Sequence, residues 1–392
     1  GRINRIYEAG RIYPNMVLVC GRRAGKCVKE GTFINTARGL IEIQKLGDPE
    51  GPEYQPLIEE VVKEAGRRSK SAYFYNGGVK DTVRISTHCG YEEEGTPNHR
   101  VKVMSEDGVI TWKYLQDIKV GDYIGINRDT NLWPIQCVSV KDYHKDLLPE
   151  NPVNYKGYSI PEVFNEKWAT LLGVLVGDGT WGNKMGIQVT VGPYSEWLDK
   201  VKRIFEESVG NCSVKSYKNN RLYSVAYYSK AVRKFLDHMG YNLDANSDDK
   251  RIPWIIMQSP KSVVAAFLRG LFETDGSIER ERVISFSTAS KKLIQELQLL
   301  LLNFGIVSRI RCRKNKKYNK TYYHLNLIGS ESINIFYNEI GFISDRKQAL
   351  LVAYINKGYQ GNKSSTEPIP YQKEWCRKLR DSVKNGQSIA NG

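Results

Sequence analysis

The chain has 392 residues, 41% hydrophobic and 11% aromatic, and 58 Lys and Arg against 43 Asp and Glu give it a formal net charge of +15. That is long enough for two or three domains, too apolar for a disordered chain, and basic enough to favour a polyanionic partner, most simply nucleic acid. No apolar run is long enough to span a membrane and no signal-peptide pattern opens the sequence. Seven scattered cysteines without a C-x-x-C pair argue against a zinc site or a disulfide framework, and for a reducing cytosol.

The first element is a short apolar strand at 11–20, RIYPNMVLVC, running into GRRAGK. Gly21, Gly25 and Lys26 form a glycine loop of the phosphate-cradling kind, but Gly21 to Gly25 encloses three residues where four are usual. Lys26 is followed by Cys27, where such a loop needs a hydroxyl for Mg²⁺, and a soft thiolate suits that hard cation poorly. Either this is no nucleotide site, or one has been interrupted directly after its lysine. From about Thr32 to Val140 short alternating strands (FINTARGLIEI, TVRIST, RVKVM, YIGIN) are broken by Gly, Asn and Asp turns, with one helix expected at PLIEEVVKEAGRR.

From about Ile160 the period becomes 3.6 and the chain repeats itself. Pro161–Val176 is expected to be an apolar helix running into GDG; Pro260–Thr274 is its counterpart, with Ser259 as N-cap. Each copy continues through strands to a helix ending at a glycine, SEWLDKVKRIFEESV to Gly210 and SKKLIQELQLLLLNF to Gly305. A further strand and a last helix follow in each. The order is α-β-β-α-β-β-α twice. The remaining 357–392 is polar, with a short helix expected around QKEWCRKLRDSV.

Aligning the copies sets Gly173 opposite Gly270, Gly177 opposite Thr274 and Asp178 opposite Asp275. Small residues there would let two helix backbones cross closely and bring the aspartates side by side. Such a pair can hold Mg²⁺ and activate water for attack on a phosphodiester. Buried helices closed by Asp-Gly turns, or a Walker-B-like strand before Asp178, would explain one copy but not the same spacing twice. Lys250 and Lys347 each lie 72 residues after their aspartate, in DKR and DRK, and could orient water or neutralise phosphate. RIRCRKNKKYNK at 309–320 holds Arg309, Arg311, Arg313, Lys314, Lys316, Lys317 and Lys320 with no acid, a cluster that points to a nucleic-acid partner.

These residues resemble a monomeric, two-motif LAGLIDADG homing endonuclease over about residues 160–355. The resemblance implies an α+β domain with a pseudo-two-fold, its saddle of strands lying along the major groove of double-stranded DNA, and Mg²⁺ held by Asp178 and Asp275. Upstream, Cys27-Val-Lys-Glu-Gly-Thr resembles the first block of an intein, Gly95-Thr96-Pro97-Asn98-His99 its T-x-x-H block, and KYLQDIKVGDYIGI, around Asp122, the strand element after it. That resemblance implies a mainly β, horseshoe-like Hint splicing domain. Its Cys27 thiol would attack the Lys26 carbonyl, with His99 protonating the departing nitrogen and Thr96 polarising the amide. His88, His144, His238 and His324 are taken as structural.

The expected layout is therefore an N-extein fragment at 1–26, splicing domain at 27–145, linker at 146–159, endonuclease at 160–356 and a polar tail at 357–392. VLVCGRRAGK resembles the phosphate loop of viral terminase large subunits, which suggests a cytoplasmic phage or prophage product in a bacterial host. The DNA partner would be the intein-free host-gene site. Asn391 follows Ala390, and nothing resembles the last splicing blocks, so a C-terminal intein segment and C-terminal extein are expected as further partners. Two alternatives stand beside this reading: a P-loop ATPase with an odd insertion, and a DNA-binding module whose nuclease has decayed.

Overall fold

The computed structural model describes residues 3–13, 16–20, 27–62, 68–128, 130–143, 160–182, 186–192, 195–217, 221–242, 245–278, 284–317 and 319–356, with Tyr371, Arg377, Arg380 and Asp381. Gly21, Gly25, Lys26, His144, the expected linker at 146–159 and nearly all of the tail lie outside these; of its expected helix at 372–383 only Arg377, Arg380 and Asp381 are described, and they are helical.

The first part of the chain is β. Its strands are β1 (Ile3–Tyr13), β2 (Met16–Cys20), β3 (Val28–Lys29), β4 (Phe33–Thr36), β5 (Gly39–Glu42), β6 (Tyr54–Val62), β7 (Arg68–Asn76), β8 (Lys80–Thr87), β9 (Glu92–Gly95), β10 (Arg100–Met104), β11 (Ile110–Tyr114) and β12 (Tyr123–Ile124). Nine form one antiparallel sheet in the order β1-β8-β9-β3-β2-β7-β6-β4-β5, and β11-β10-β12 form a second. The backbone before Cys27 is thus woven into the large sheet, β1 against β8 and β2 against β3 and β7.

The helix expected at 56–68 is not formed, because 54–62 is strand β6, paired with β7. Its true period is 2: Leu57, Glu59 and Val61 turn inward while Pro56 and Ile58 face out, and Val61 and Val62 are β-branched. The inward acid that gave the stretch a helical look is satisfied by Arg38, whose Nε donates to Glu59 at 2.8 Å.

The repeats follow as α1 (Glu166–Asp178), β13 (Gly179–Gly182), β14 (Gly186–Val191), α2 (Ser195–Ser208), β15 (Ser213–Tyr217), β16 (Leu222–Tyr228) and α3 (Lys230–His238). After a short helix α4 (Trp254–Met257) come α5 (Lys261–Thr274), β17 (Gly276–Ile278), β18 (Ile284–Thr288), α6 (Lys291–Asn303), β19 (Ser308–Asn315), β20 (Lys320–Leu327) and α7 (Gly329–Ile335), and α8 (Asp345–Asn356) ends the described run. The two four-stranded sheets share one order, β13-β14-β16-β15 and β17-β18-β20-β19, so the duplication holds at the level of topology.

Two boundaries differ from expectation. Helix α1 begins at Glu166, where the Asn165 side chain accepts from Trp168 N at 3.2 Å, because 162–164 is held extended against 138–140: Phe164 N donates to Val138 O and Val140 N to Glu162 O. Ser259 does not cap α5: its hydroxyl donates to the Ile255 carbonyl at 2.7 Å, and Pro260 occupies the cap position.

At the centre α1 crosses α5. A Cβ on Gly173 would strike the Phe267 carbonyl, one on Gly270 the Thr170 carbonyl, and one on Gly177 the Thr274 side chain. The obstacles at Gly173 and Gly270 are backbone, which no rotamer change relieves. Gly270→Ala is therefore expected to cost about 3 kcal/mol or more, at the upper end of overpacking effects. Urea unfolding checks it, and a loss below about 0.5 kcal/mol, the size of an ordinary surface change, would refute the close crossing.

The β part packs on the repeats rather than hanging from them. Leu40 and Val140 join the hydrophobic core of the repeat helices. Arg251 forks between Glu42 of β5 and Glu296 of α6, both at 2.6 Å.

Candidate active sites

Crossing α1 over α5 brings Asp178 and Asp275 to the same end of the helix pair. Asp178 is exposed and Asp275 half-buried. Partial burial pushes the Asp178 carboxyl above its usual range, with Lys250 and Lys347 pulling it back. Asp275 is pushed up to about 6, first by burial and then by the Asp178 charge, against the same two lysines. A half-buried carboxylate raised further by its neighbour's charge belongs to a site that gains from a cation.

Among the described residues no group of three or more His, Cys, Asp or Glu is placed to hold a metal. A cation here would rest on these two carboxylates, leaving coordination positions for water and phosphate oxygen, a donor set that fits a hard divalent ion such as Mg²⁺.

The lysines sit where the duplication puts them, with their ammonium groups on backbone. Lys250 Nζ donates to Gly177 O at 2.5 Å, and Lys347 Nζ to Gly276 O at 2.8 Å and to Glu273 O. Each caps the carbonyl end of the helix that carries its aspartate. Lys347 is buried, which lowers its pKa, and Glu273 opposes that shift. Glu273 was not legible as a site residue. It accepts from Ile343 N and Ser344 N, at 2.7 and 3.0 Å, and so fixes the approach to Lys347.

The basic segment at 309–320 forms the hairpin β19–β20. Arg309, Arg311 and Arg313 share one face with Asn326, His324 and Tyr322 opposite them, and Ser285 and Ser287 of β18 extend the row. Arg311, Arg313, Lys314, Lys316, Lys317 and Lys320 are exposed, while Arg309 is half-buried. In the sheet of the first repeat Gln188 and Thr190 of β14 turn outward between buried Ile187, Val189 and Val191. Hydroxyl, amide and guanidinium groups thus line the outer strand faces, the donors and acceptors that base edges require.

A second group of candidate residues lies in the β part. Thr96 N donates to the Cys27 carbonyl at 2.9 Å, with its hydroxyl at 3.5 Å from the same oxygen. The T-x-x-H spacing is a β-turn: His99 N donates to Thr96 O at 2.8 Å, with Pro97 at the position that favours its fixed φ. A Cβ on Gly95 would press on both Cys27 O and the His99 side chain, so glycine lets the three residues close up. Cys27 is buried, which raises its thiol pKa, with Lys80 opposing. Asp122 accepts from Lys113 Nζ at 2.6 Å and Lys119 N at 2.8 Å, which anchors the turn after β11.

Comparison with known proteins agrees with the second half most directly. The family model of the LAGLIDADG-like domain matches residues 262–341, the second repeat copy. The replication factor C small subunit of Methanocaldococcus jannaschii is 29% identical over 314 residues, covering 80% of this chain and 15% of that protein. The glutamine–fructose-6-phosphate aminotransferase of the same organism is 27% identical over 363 residues, covering 85% of this chain and 32% of that protein. The homing endonuclease I-DmoI, solved with DNA and calcium, aligns to 48% of this chain and 97% of its own with 19% identity and a TM-score of 0.34. This chain spans only 15% and 32% of the two curated relatives.

Proposed function

We propose that residues 160–356 are a site-specific DNA endonuclease of the LAGLIDADG type, cutting both strands of duplex DNA with Mg²⁺. The observation that carries this is the juxtaposition of Asp178 and Asp275 at the end of a glycine-lined helix crossing, beneath two matching sheets. A bound Mg²⁺ would neutralise charge on the scissile phosphate and lower the pKa of attacking water. The protein's own contribution is to hold two acids in register, stiffen their helix ends through Lys250 and Lys347, and lay polar strand faces along the groove.

The experiment is a binding and cleavage selection on random duplexes at several salt concentrations. The recovered site should span codons for GRRAGK and the residue after it, since an inserted element protects its own copy by splitting its target. Each phosphate contact contributes a slope of about −0.9 in log affinity against log salt, so Lys314→Ala with Lys316→Ala should flatten the slope by up to about two. A recovered site unrelated to that junction counts against homing at this locus.

The β part supports a second activity, autocatalytic splicing begun by an N-to-S acyl shift at Cys27. Cys27, Thr96 and His99 converge there, and the chain aligns with a minority of each of two differently named proteins, a replication factor C small subunit and a glutamine–fructose-6-phosphate aminotransferase. A segment common to such different hosts is what a splicing element would be, and neither host activity can explain it. The ATPase alternative still lacks its hydroxyl after Lys26.

A further inference from the structure

Strand β9 carries three consecutive glutamates, and successive strand residues face opposite ways. The outer two are committed elsewhere. Glu92 meets Lys291 of α6 at 3.2 Å and accepts from Gln295 at 3.0 Å. Glu94 accepts from Thr82 at 3.1 Å and lies 3.6 and 3.5 Å from Lys29 and Arg84. The middle one faces His99: Glu93 Oε1 is 4.0 Å from His99 Nε2, with His99 13% exposed. One water, or a closure of about 1 Å, makes that a hydrogen bond, and such catalytic contacts are often long before substrate engages.

We propose that Glu93 is a positioning residue for the acyl shift, holding the His99 imidazole protonated and aimed at the Lys26–Cys27 amide. This rests on the splicing reading. In the step itself the Cys27 thiol gives up its proton to water, its sulfur bonds to the Lys26 carbonyl carbon, the carbon–nitrogen bond breaks, and the freed amine takes the His99 proton, which the neutral imidazole then regains from solvent. A carboxylate behind the imidazolium keeps that proton available where bulk pH alone would remove it.

The surroundings set the window. Glu93 retains 33% side-chain exposure, yet burial of its carboxyl and then the Glu94 charge push it up to about 7. Lys29 and Arg84 are drawn to Glu94, Lys80 acts on Cys27, and Glu30, Lys292 and Arg251 line the same cleft of about 670 Å³. A raised acid ionises only as pH climbs through about 7, so the pair operates above that pH and fades below it.

The test is Glu93→Gln, which keeps shape and removes charge, with Glu93→Asp as the conservative variant. His99 imidazole protonation is followed by NMR, and dithiothreitol-dependent release of residues 1–26 is measured from pH 5.5 to 8.5. His99 should titrate about one unit lower in Glu93→Gln, equivalent to about tenfold less protonated imidazole. Release at pH 8 should fall about tenfold, the difference should vanish at pH 5.5, and Glu93→Asp should restore part of it. An unmoved His99 titration, or a moved titration with unchanged release, overturns the proposal. A moved titration with no release from any variant, wild type included, upholds the Glu93–His99 pair and refutes splicing instead.

Discussion

Asp275→Asn is expected to lose double-strand cleavage in Mg²⁺ by about 10³-fold or more, because a metal's charge stabilisation is worth several kcal/mol and each 1.36 kcal/mol is about tenfold. DNA affinity should stay within a few-fold, since the basic hairpin is untouched. Asp178→Asn should do the same, the two acids acting as one site. Stability supplies an independent readout. An acid raised to about 6 binds its proton more tightly folded than unfolded, so its stabilising contribution is lost as pH rises between about 4 and 6. At pH 7 without metal the Asn variant should therefore melt at a higher temperature than wild type, with the gap closing at pH 4. Mg²⁺ should raise the melting temperature of wild type at pH 7 and leave Asp275→Asn nearly unmoved. Full cleavage by either variant, or equal Mg²⁺ stabilisation of wild type and variant, would sink the paired-carboxylate site.

The repeat half was legible because duplication is a control that a sequence carries within itself. Gly173 and Gly270 were aligned only by spacing, and the structure sets each against the other helix's backbone. Glycine at Gly210 and Gly305, where φ is +96° and +89°, likewise marks the same helix end twice. What spacing could not show was what the lysines touch. Equal offsets placed Lys250 and Lys347 near the aspartates, but only the fold shows their ammonium groups on the helix-end carbonyls of Gly177 and Glu273.

The β half was harder. PLIEEVV carries apolar residues compatible with either period, and the pairing of β6 with β7 decides it, a long-range fact absent from local pattern. Glu93 was hidden for a related reason. A run of three acids normally signals a solvated surface, whereas strand alternation here sends Glu92 and Glu94 to fixed partners and turns Glu93 to His99.

Cys27→Ala is expected to abolish thiol-dependent release of residues 1–26, because it removes the only atom that can become the thioester sulfur. The buried thiol sits above its ordinary pKa, so little thiolate exists near neutrality and wild-type release should accelerate as pH rises toward that pKa. His99→Ala leaves the nucleophile but no acid for the departing nitrogen, and general-acid loss costs about 10²–10⁴-fold. Thr96→Ala should be milder: it deletes a hydroxyl 3.5 Å from the Cys27 carbonyl but keeps the 2.9 Å backbone bond to the same oxygen. Gly95→Ala should resemble His99→Ala, since its new methyl would press on Cys27 O and the His99 ring together. The ordering Cys27 above His99 and Gly95, with Thr96 last, is specific to nucleophile, acid, close approach and polarising contact. Mass spectrometry of the released peptide locates the cut. Release that survives Cys27→Ala, or that maps away from the Lys26–Cys27 bond, would end the splicing reading and leave the endonuclease to stand alone.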